Sequence, residues 1–432
     1  MSSSEMSGLK WVATLWGLEP RWTTNLDENA IQKTAQLALQ RPCPDSIQFL
    51  AKGIFNKLYS VGTNNSEAVI RITMPILSEL KTESEVATMH WVQRHTSLPV
   101  PNILAYESHC KNEIGFEWIC MEKVKGKTLG DAWWELDFAA KERVIRQIAQ
   151  FYSDTFSHQM KTIGSLYEHP SSEGQTTHIG KSTSLAFLVR GPQSEVQRGP
   201  FTSCRDWITA QLNAAEADCK HRLEVARAAE IASATKEQSV DEEKQEEGED
   251  PEDLETSLTI ITKLRGQIAS FFPETSPEPT VLMHHDLNKH NILVNADGSL
   301  SGVVDWEWIS TYPLSMACQY PGFIDGKDRS TKPVKSTYHH DDNGKVNELY
   351  WEHLEFYELH QLRILFMDTM RALQPRWVEV FNKSQRQRDF YIAIWTYDNP
   401  LNMKRLLKWL SDLESGIPDV MGLEERINNN TL

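Results

Sequence analysis

No part of this chain restricts its possible folds as tightly as His284-His285-Asp286-Leu287-Asn288-Lys289-His290-Asn291, followed by Gly302-Val303-Val304-Asp305-Trp306. Two short apolar runs, Ile292 to Val294 and Leu300 to Val304, flank Asn295-Ala296-Asp297-Gly298-Ser299, whose Asp-Gly pair is a hairpin-turn signal. Antiparallel pairing of the runs predicts Asn291 and Asp305 close to opposite one another at the open end, with Cα atoms about 4.5–5.5 Å apart. A carboxylate and an amide oxygen at that separation are hard ligands suited to Mg²⁺, which fills its other positions with water and phosphate oxygens. Asp286 precedes the hairpin and can face a reacting hydroxyl instead of the metal. An Asp, an Asn five residues on and a second Asp downstream are the groups phosphoryl transfer requires, in the order it requires them.

Blander readings exist for each residue alone. A single Asp or Asn beside an Asp-Gly turn is usually a turn or capping residue. His284, His285, Asp286 and His290 could be taken for a transition-metal site, but no helical H-x-x-x-H pair and no cysteine pair of zinc spacing accompanies them. His284 reads as a buried histidine that braces the loop backbone. It is the ordered combination that points to phosphoryl transfer.

A chain of 432 residues, 40% apolar and 24% charged, has room for two or three lobes. No apolar run of 18 residues predicts a membrane span, and Met1 to Lys10 lacks a hydrophobic signal core. Six scattered cysteines suggest reduced thiols, so a cytoplasmic location is expected. The net charge of −16 disfavours nucleic acid as a partner. More than half of that charge belongs to residues 236–255, which hold eleven acids and two lysines; this run is expected to be an acidic, disordered insertion.

Short strands are expected at Ile47 to Ala51, Phe55 to Val61, Ala68 to Ile72, Ile103 to Glu107 and Phe116 to Glu122. A helix is expected before them, Asn29 to Gln40, and another among them, Lys81 to Arg94. Further helices are expected at Ala139 to Phe156, Cys204 to Ala229, Leu254 to Phe272, Asn347 to Leu373, Asp389 to Trp395 and Pro400 to Leu413. Trp11, Trp16 and Trp22 read as core residues of a leading segment. The fold class is therefore α+β, a protein-kinase-like two-lobed fold with an antiparallel-sheet N-lobe and a mainly helical C-lobe. The boundaries are an N-terminal extension at 1–46, an N-lobe at 47–121 and a C-lobe at 122–432, with the catalytic loop at 284–291 and the metal-binding hairpin at 291–305.

The chain resembles the aminoglycoside phosphotransferase and choline-kinase-related family, in particular fungal-type members of unassigned substrate. The resemblance is carried by Gly53-Ile54-Phe55-Asn56-Lys57-Leu58-Tyr59, Ala68-Val69-Ile70-Arg71-Ile72, Glu83-Ser84-Glu85, Met121-Glu122-Lys123-Val124-Lys125-Gly126, Arg198-Gly199-Pro200-Phe201, the 284–291 loop and Val303-Val304-Asp305-Trp306-Glu307. It spans roughly residues 47 to 325. It implies ATP and Mg²⁺ as cofactors, Asp286 as the catalytic base or orienting carboxylate, and Asn291 and Asp305 as metal ligands. It also implies that Glu85 pairs with a phosphate-binding cation, that backbone around Glu122 and Val124 binds adenine, and that the turn carrying Phe55 and Asn56 covers the phosphates.

Two departures stand out. Arg71 occupies the strand position where kinases usually carry Lys; it still offers a permanent charge and several donors. The phosphate loop has Gly53 but no G-x-G-x-x-G run. Both features motivate an alternative, a pseudokinase that binds nucleotide or acts as an interaction scaffold without transfer. No D-F-G or A-P-E segment follows the loop, which argues against a protein kinase. The expected partner is a small-molecule hydroxyl acceptor, aminoglycoside-, choline- or sugar-like. Trp306, Trp308, Trp351 and Tyr357 with Glu307 and Asp325 form a candidate box for a cationic amine. On the resemblance, Arg198 to Phe201 would close over the substrate side.

Overall fold

Period-two burial builds the first lobe. In the strand Ser66–Thr73, Ile70 and Ile72 turn to one face while Val69 and Arg71 turn to the other, as the pleat requires. That strand lies at the centre of a five-stranded antiparallel sheet in the order Ile47–Lys52, Asn56–Thr63, Ser66–Thr73, Glu117–Glu122, Ile103–Glu107. One face is covered by the helix Glu28–Leu39, whose Ala30, Ile31 and Ala35 pack on Tyr59, Ile70 and Cys120. The Asp27 carboxylate caps this helix by accepting from the Asn29 amide at 2.9 Å. The computed structural model describes residues 8–14, 17–40, 47–63, 66–171, 174–189, 196–235, 249–273 and 277–432.

The strands and helices expected from periodicity are present, with ends shifted by a few residues. Tertiary contacts add what periodicity did not announce. Leu9–Thr14 and Gly17–Trp22 pair as an antiparallel hairpin, with Trp22 against Phe116 at 5.1 Å; Trp16 lies outside the described residues. Ser165–Ser171 pairs with Gly174–Gly180, a polar hairpin without clear alternation. Thr280–Met283 pairs with Ser310–Pro313 across the 284–291 loop and the hairpin after it, tying both ends of that stretch together.

The second lobe is mainly helical. Phe138–Ser157, Pro251–Phe271, Glu348–Leu373, Gln385–Thr396 and Pro400–Glu414 share one large apolar core with Val281, Ile292 and Val303. Pro375–Lys383 is a further helix, in a stretch where none was expected. Of the acidic run, residues 236–248 lie outside the described residues. Its last part corrects the expectation of disorder: Asp250 caps the helix Pro251–Phe271, which therefore begins three residues earlier than its apolar pattern suggested. Buried Arg222 holds Glu249 at 2.9 Å and Asp398 at 2.7 Å, so charge pairing anchors that end of the run.

Where the chain passes between the lobes, Gly126 has φ +101°, and a Cβ there would stand 2.2 Å from the Val294 carbonyl oxygen. Only glycine lets the connecting segment lie this close to the hairpin strand Ile292–Val294. No helix among the described residues is long and apolar enough to cross a membrane.

Candidate active site

A cavity of about 1040 Å³ opens between the lobes. The sheet contributes Leu58, Val69 and Arg71, the connecting segment Met121 to Val124, and the second lobe Asp286, Asn291, Val304 and Asp305. Glu122 and Val124 both border it, the Glu122 carboxylate accepting from Asn102 Nδ2 at 2.7 Å.

Arg71 points into this cleft rather than to solvent, because it alternates with the two isoleucines packed beneath the sheet. It forms a buried ion pair with Glu85, and its Nη1 lies 3.9 Å from Asp305 Oδ1. Burial opposes its charge, but Glu85, Glu307 and Asp305 outweigh burial and raise its pKa above the usual value. Glu85 is held in place because its helix, Leu80–His95, is pinned at its start. Buried Glu117 accepts there from the Glu79 amide at 3.0 Å and from Thr82 Oγ1 at 2.5 Å.

The 284–291 loop organises itself through asparagines. Asn288 Nδ2 donates to Asp286 Oδ1 at 2.9 Å, and Asn291 Nδ2 donates to the Asp286 carbonyl at 2.8 Å and to its Oδ2 at 3.1 Å. The hairpin forms as expected, with Ile292 opposite Val303 and a bulge after Leu293. Its register places Asn291 opposite Val304, whose amide donates to the Asn291 carbonyl at 2.9 Å. Asp305 is thus one residue beyond the position expected for it. It has φ +65°, a left-handed conformation that is uncommon for a residue with a side chain. Buried His284 lies with Nε2 3.4 Å from the Val304 carbonyl. Burial, with His285 adding to it, lowers its pKa to about 4, so it is neutral at pH 7 and braces the strand end.

A second buried ion pair was not legible in the sequence. Lys81, one turn before Glu85, is 1% exposed and reaches Glu307 at 2.5 Å. Asn56 Nδ2 donates to the same Glu307 oxygen at 2.8 Å, and Asn56 Oδ1 accepts from Thr73 Oγ1 at 2.8 Å. Asn56 is therefore committed to this network by its side chain, and its carbonyl accepts from the Gly53 amide at 2.9 Å. Phe55 likewise has its ring 5.2 Å from that of Trp308. Nothing local in the sequence points Lys81 toward Glu307.

Two carboxylates this close divide their charge unequally. Burial works against Glu307, but Lys81, Arg71 and the Asn56 hydrogen bond hold it ionised and low. Burial, then Glu307 and Glu85, pushes Asp305 up to about 7 against the opposing pull of Arg71 and Lys81.

The aromatic box assembles only in part: Trp306, Glu307 and Trp308 border the cavity, the other three residues do not. Trp306 is a core residue whose Nε1 donates to the Val303 carbonyl at 2.9 Å. Trp351 packs on Trp134 at 5.1 Å, and neither it nor Tyr357 nor Asp325 borders the cavity. The segment Arg198 to Phe201 also differs from expectation: Phe201 is buried and Arg198 Nη2 donates to the Phe187 carbonyl at 2.8 Å, so it is packed into the second lobe. His285, which in the sequence stands out only as a metal-ligand candidate, and Trp395, which no motif singles out, also border the cavity.

The donor set fits Mg²⁺. Asn291 turns its amide nitrogen to Asp286, which leaves its oxygen facing elsewhere, and the Asp305 carboxylate borders the cleft. Among the described residues no group of three or more His, Cys, Asp or Glu side chains could hold a metal ion. Two oxygen donors, completed by phosphate and water, are a magnesium arrangement and not a zinc one.

The model of the APH phosphotransferase enzyme family matches residues 46–315. A subtelomeric hrmA-associated cluster protein of Aspergillus fumigatus is 28% identical over 318 residues, which cover 65% of this chain and 60% of that protein. The mitochondrial protein Altered inheritance of mitochondria protein 9 of Candida albicans is 33% identical over 140 residues, 30% of this chain and 22% of its own length. The matches thus span 60% or less of these curated relatives. Among solved structures, a thermostable mutant of aminoglycoside phosphotransferase APH(4)-Ia in ternary complex with ADP and hygromycin B is 14% identical. It covers 90% of this chain and 95% of its own, with a TM-score of 0.40. The streptomycin–ATP–APH(2")-IIa ternary complex is 12% identical, covering 93% and 99%, also with a TM-score of 0.40.

Proposed function

The chain belongs to the phosphotransferase enzyme family, and on that premise we propose that it moves the γ-phosphoryl group of Mg²⁺-bound ATP to a hydroxyl of a small molecule. One observation carries this reading: Asp286, Asn291, Asp305 and the Arg71–Glu85 pair all border a single cavity, although they come from both lobes. Each has a distinct task. Asp286, oriented by Asn288 and Asn291, faces the acceptor hydroxyl and takes or orients its proton. Arg71, fixed by Glu85, presents its charge to the phosphates, replacing the usual lysine. Asn291 and Asp305 hold the magnesium, which when bound neutralises phosphate charge. Val124 and Glu122 lie where the adenine edge would meet the connecting segment. Catalysis of this kind is positioning and charge stabilisation, for which a pinned helix and a self-bonded loop are suited.

The raised pKa of Asp305 gives this reading a pH signature. Below about pH 7 the ligand-free carboxyl tends to hold a proton, and binding a divalent cation must release it. Mg²⁺–nucleotide affinity is therefore expected to fall up to about tenfold per pH unit below that point and to level off above it. Calorimetry in buffers of different ionisation heat should register close to one proton released at pH 6. A flat affinity from pH 6 to 8 would contradict the assignment of Asp305.

Labelled ATP incubated with the protein and a metabolite extract should identify the compound that gains phosphate. Nucleotide affinity should depend on Mg²⁺, and slow ATP hydrolysis should occur without acceptor. Absence of both would favour the scaffold alternative.

A further inference from the structure

The charges lining the cavity also bear on what the acceptor is. Five carboxylates border it among the described residues. Glu85 is paired with Arg71 and Glu307 with Lys81. Glu122 is bonded to Asn102 beside the connecting segment, and Asp305 and Asp286 serve metal and hydroxyl. That leaves Glu122, bonded only to a neutral amide, as the one carboxylate at this wall with neither a cationic partner nor a task in transfer, and recognition of a polycation needs several.

What borders the cavity next to Asp286 is aromatic. The rings of His285 and Trp395 lie at 26° to one another with centroids 6.1 Å apart, and Trp395 is 40% exposed. Burial lowers the pKa of His285 despite Asp286 and Glu307, so this ring is not a cation at neutral pH. Its Nδ1 is buried and has no partner in the protein, which leaves a hydrogen-bonding atom for a ligand. Leu185 and Trp308 border the same cavity and pack together in a small apolar cluster. Trp395 comes from the helix Gln385–Thr396, more than 100 residues beyond the catalytic loop, so only the fold places it here.

We propose that the acceptor is an uncharged alcohol with a flat or apolar ring, which stacks on Trp395 and hydrogen-bonds His285 while presenting its hydroxyl to Asp286. This deepens the phosphotransferase reading and rests on it. A flat, desolvated face against an indole accounts for affinity without counter-charges. The site would accordingly discriminate against aminoglycosides and choline.

The test uses the full chain with Mg²⁺ and ATP. Phosphate transfer is followed by mass spectrometry over a panel of uncharged ring-bearing alcohols (aryl alcohols, nucleosides, monosaccharides) and of cationic ones (aminoglycosides, choline). Transfer is expected to uncharged ring-bearing members. Trp395→Ala should raise the acceptor KM at least tenfold while Mg²⁺–AMP-PNP affinity stays at the wild-type value, and Trp395→Phe should recover most of the loss. Preferred transfer to cationic members, transfer to no ring-bearing member, or an unchanged KM in Trp395→Ala overturns the proposal. If wild-type protein fails to bind Mg²⁺–AMP-PNP at all, the phosphotransferase reading itself fails, which is a separate result.

Discussion

Asp286→Asn is expected to bind Mg²⁺–nucleotide like the wild type and to turn over roughly 10²–10⁴-fold more slowly, the usual loss when a general base is removed. The replacement amide keeps the shape and can still accept from one of the two asparagines, but it cannot accept a hydroxyl proton. Asp305→Asn should fail in the opposite way. It removes the carboxylate from the cation position, so the rise in melting temperature on adding Mg²⁺–AMP-PNP should vanish. The ligand-free variant should be no less stable than the wild type, because the carboxyl it loses is already disfavoured as an anion by burial and by Glu307. Thermal shift with and without ligand, together with single-turnover rates, separates the two. Normal turnover by Asp286→Asn on the true acceptor would refute the catalytic assignment.

Lys81→Met should be the most destabilising single change near the site. Glu307 would then be left in a nearly closed environment, with its side chain 9% exposed and its strongest partner gone. Breaking a buried pair from one side typically costs about 3–5 kcal/mol, because one charge stays buried without compensation. Replacing both partners, Lys81→Met with Glu307→Gln, should return most of that loss, since neither charge remains and Asn56 can still bond the new amide. The pair joins the helix of one lobe to the segment of the other that carries Asp305, so on the proposed function the single variant should also weaken Mg²⁺–nucleotide binding. Denaturant midpoints measure the first effect and titration the second. A loss under about 1 kcal/mol for Lys81→Met would show that the pair contributes no more than a surface salt bridge does.

Much of the site was readable because its parts are local. The Asp-Gly turn between two apolar runs gives the hairpin, and the hairpin gives Asn291 and Asp305 as neighbours whatever the rest of the chain does. The sheet was readable for the same reason: alternation through Ala68 to Ile72 marks a strand without reference to its partners. The one-residue offset of Asp305 was not readable, because it depends on the left-handed turn that carries the chain into the segment above Trp308. The aromatic box assembles only in part for a related cause. Trp306 and Trp308 border the cavity with their rings almost wholly buried, Trp351 and Tyr357 do not reach it, and the exposed indole there belongs to Trp395, with no tryptophan beside it in the chain.

By itself, then, the sequence determined the chemical groups, their order along the chain and the local elements that display them, since turn chemistry and hydrophobic period act over a few residues. Only the tertiary structure decided which groups meet across distance: Lys81 with Glu307, Arg71 with Glu85 and Asp305, His285 with Trp395. Those meetings depend on how a five-stranded sheet and a helical core pack together. The same side chain in the same local pattern is a solvated cation on one packed face and a buried counter-charge on another.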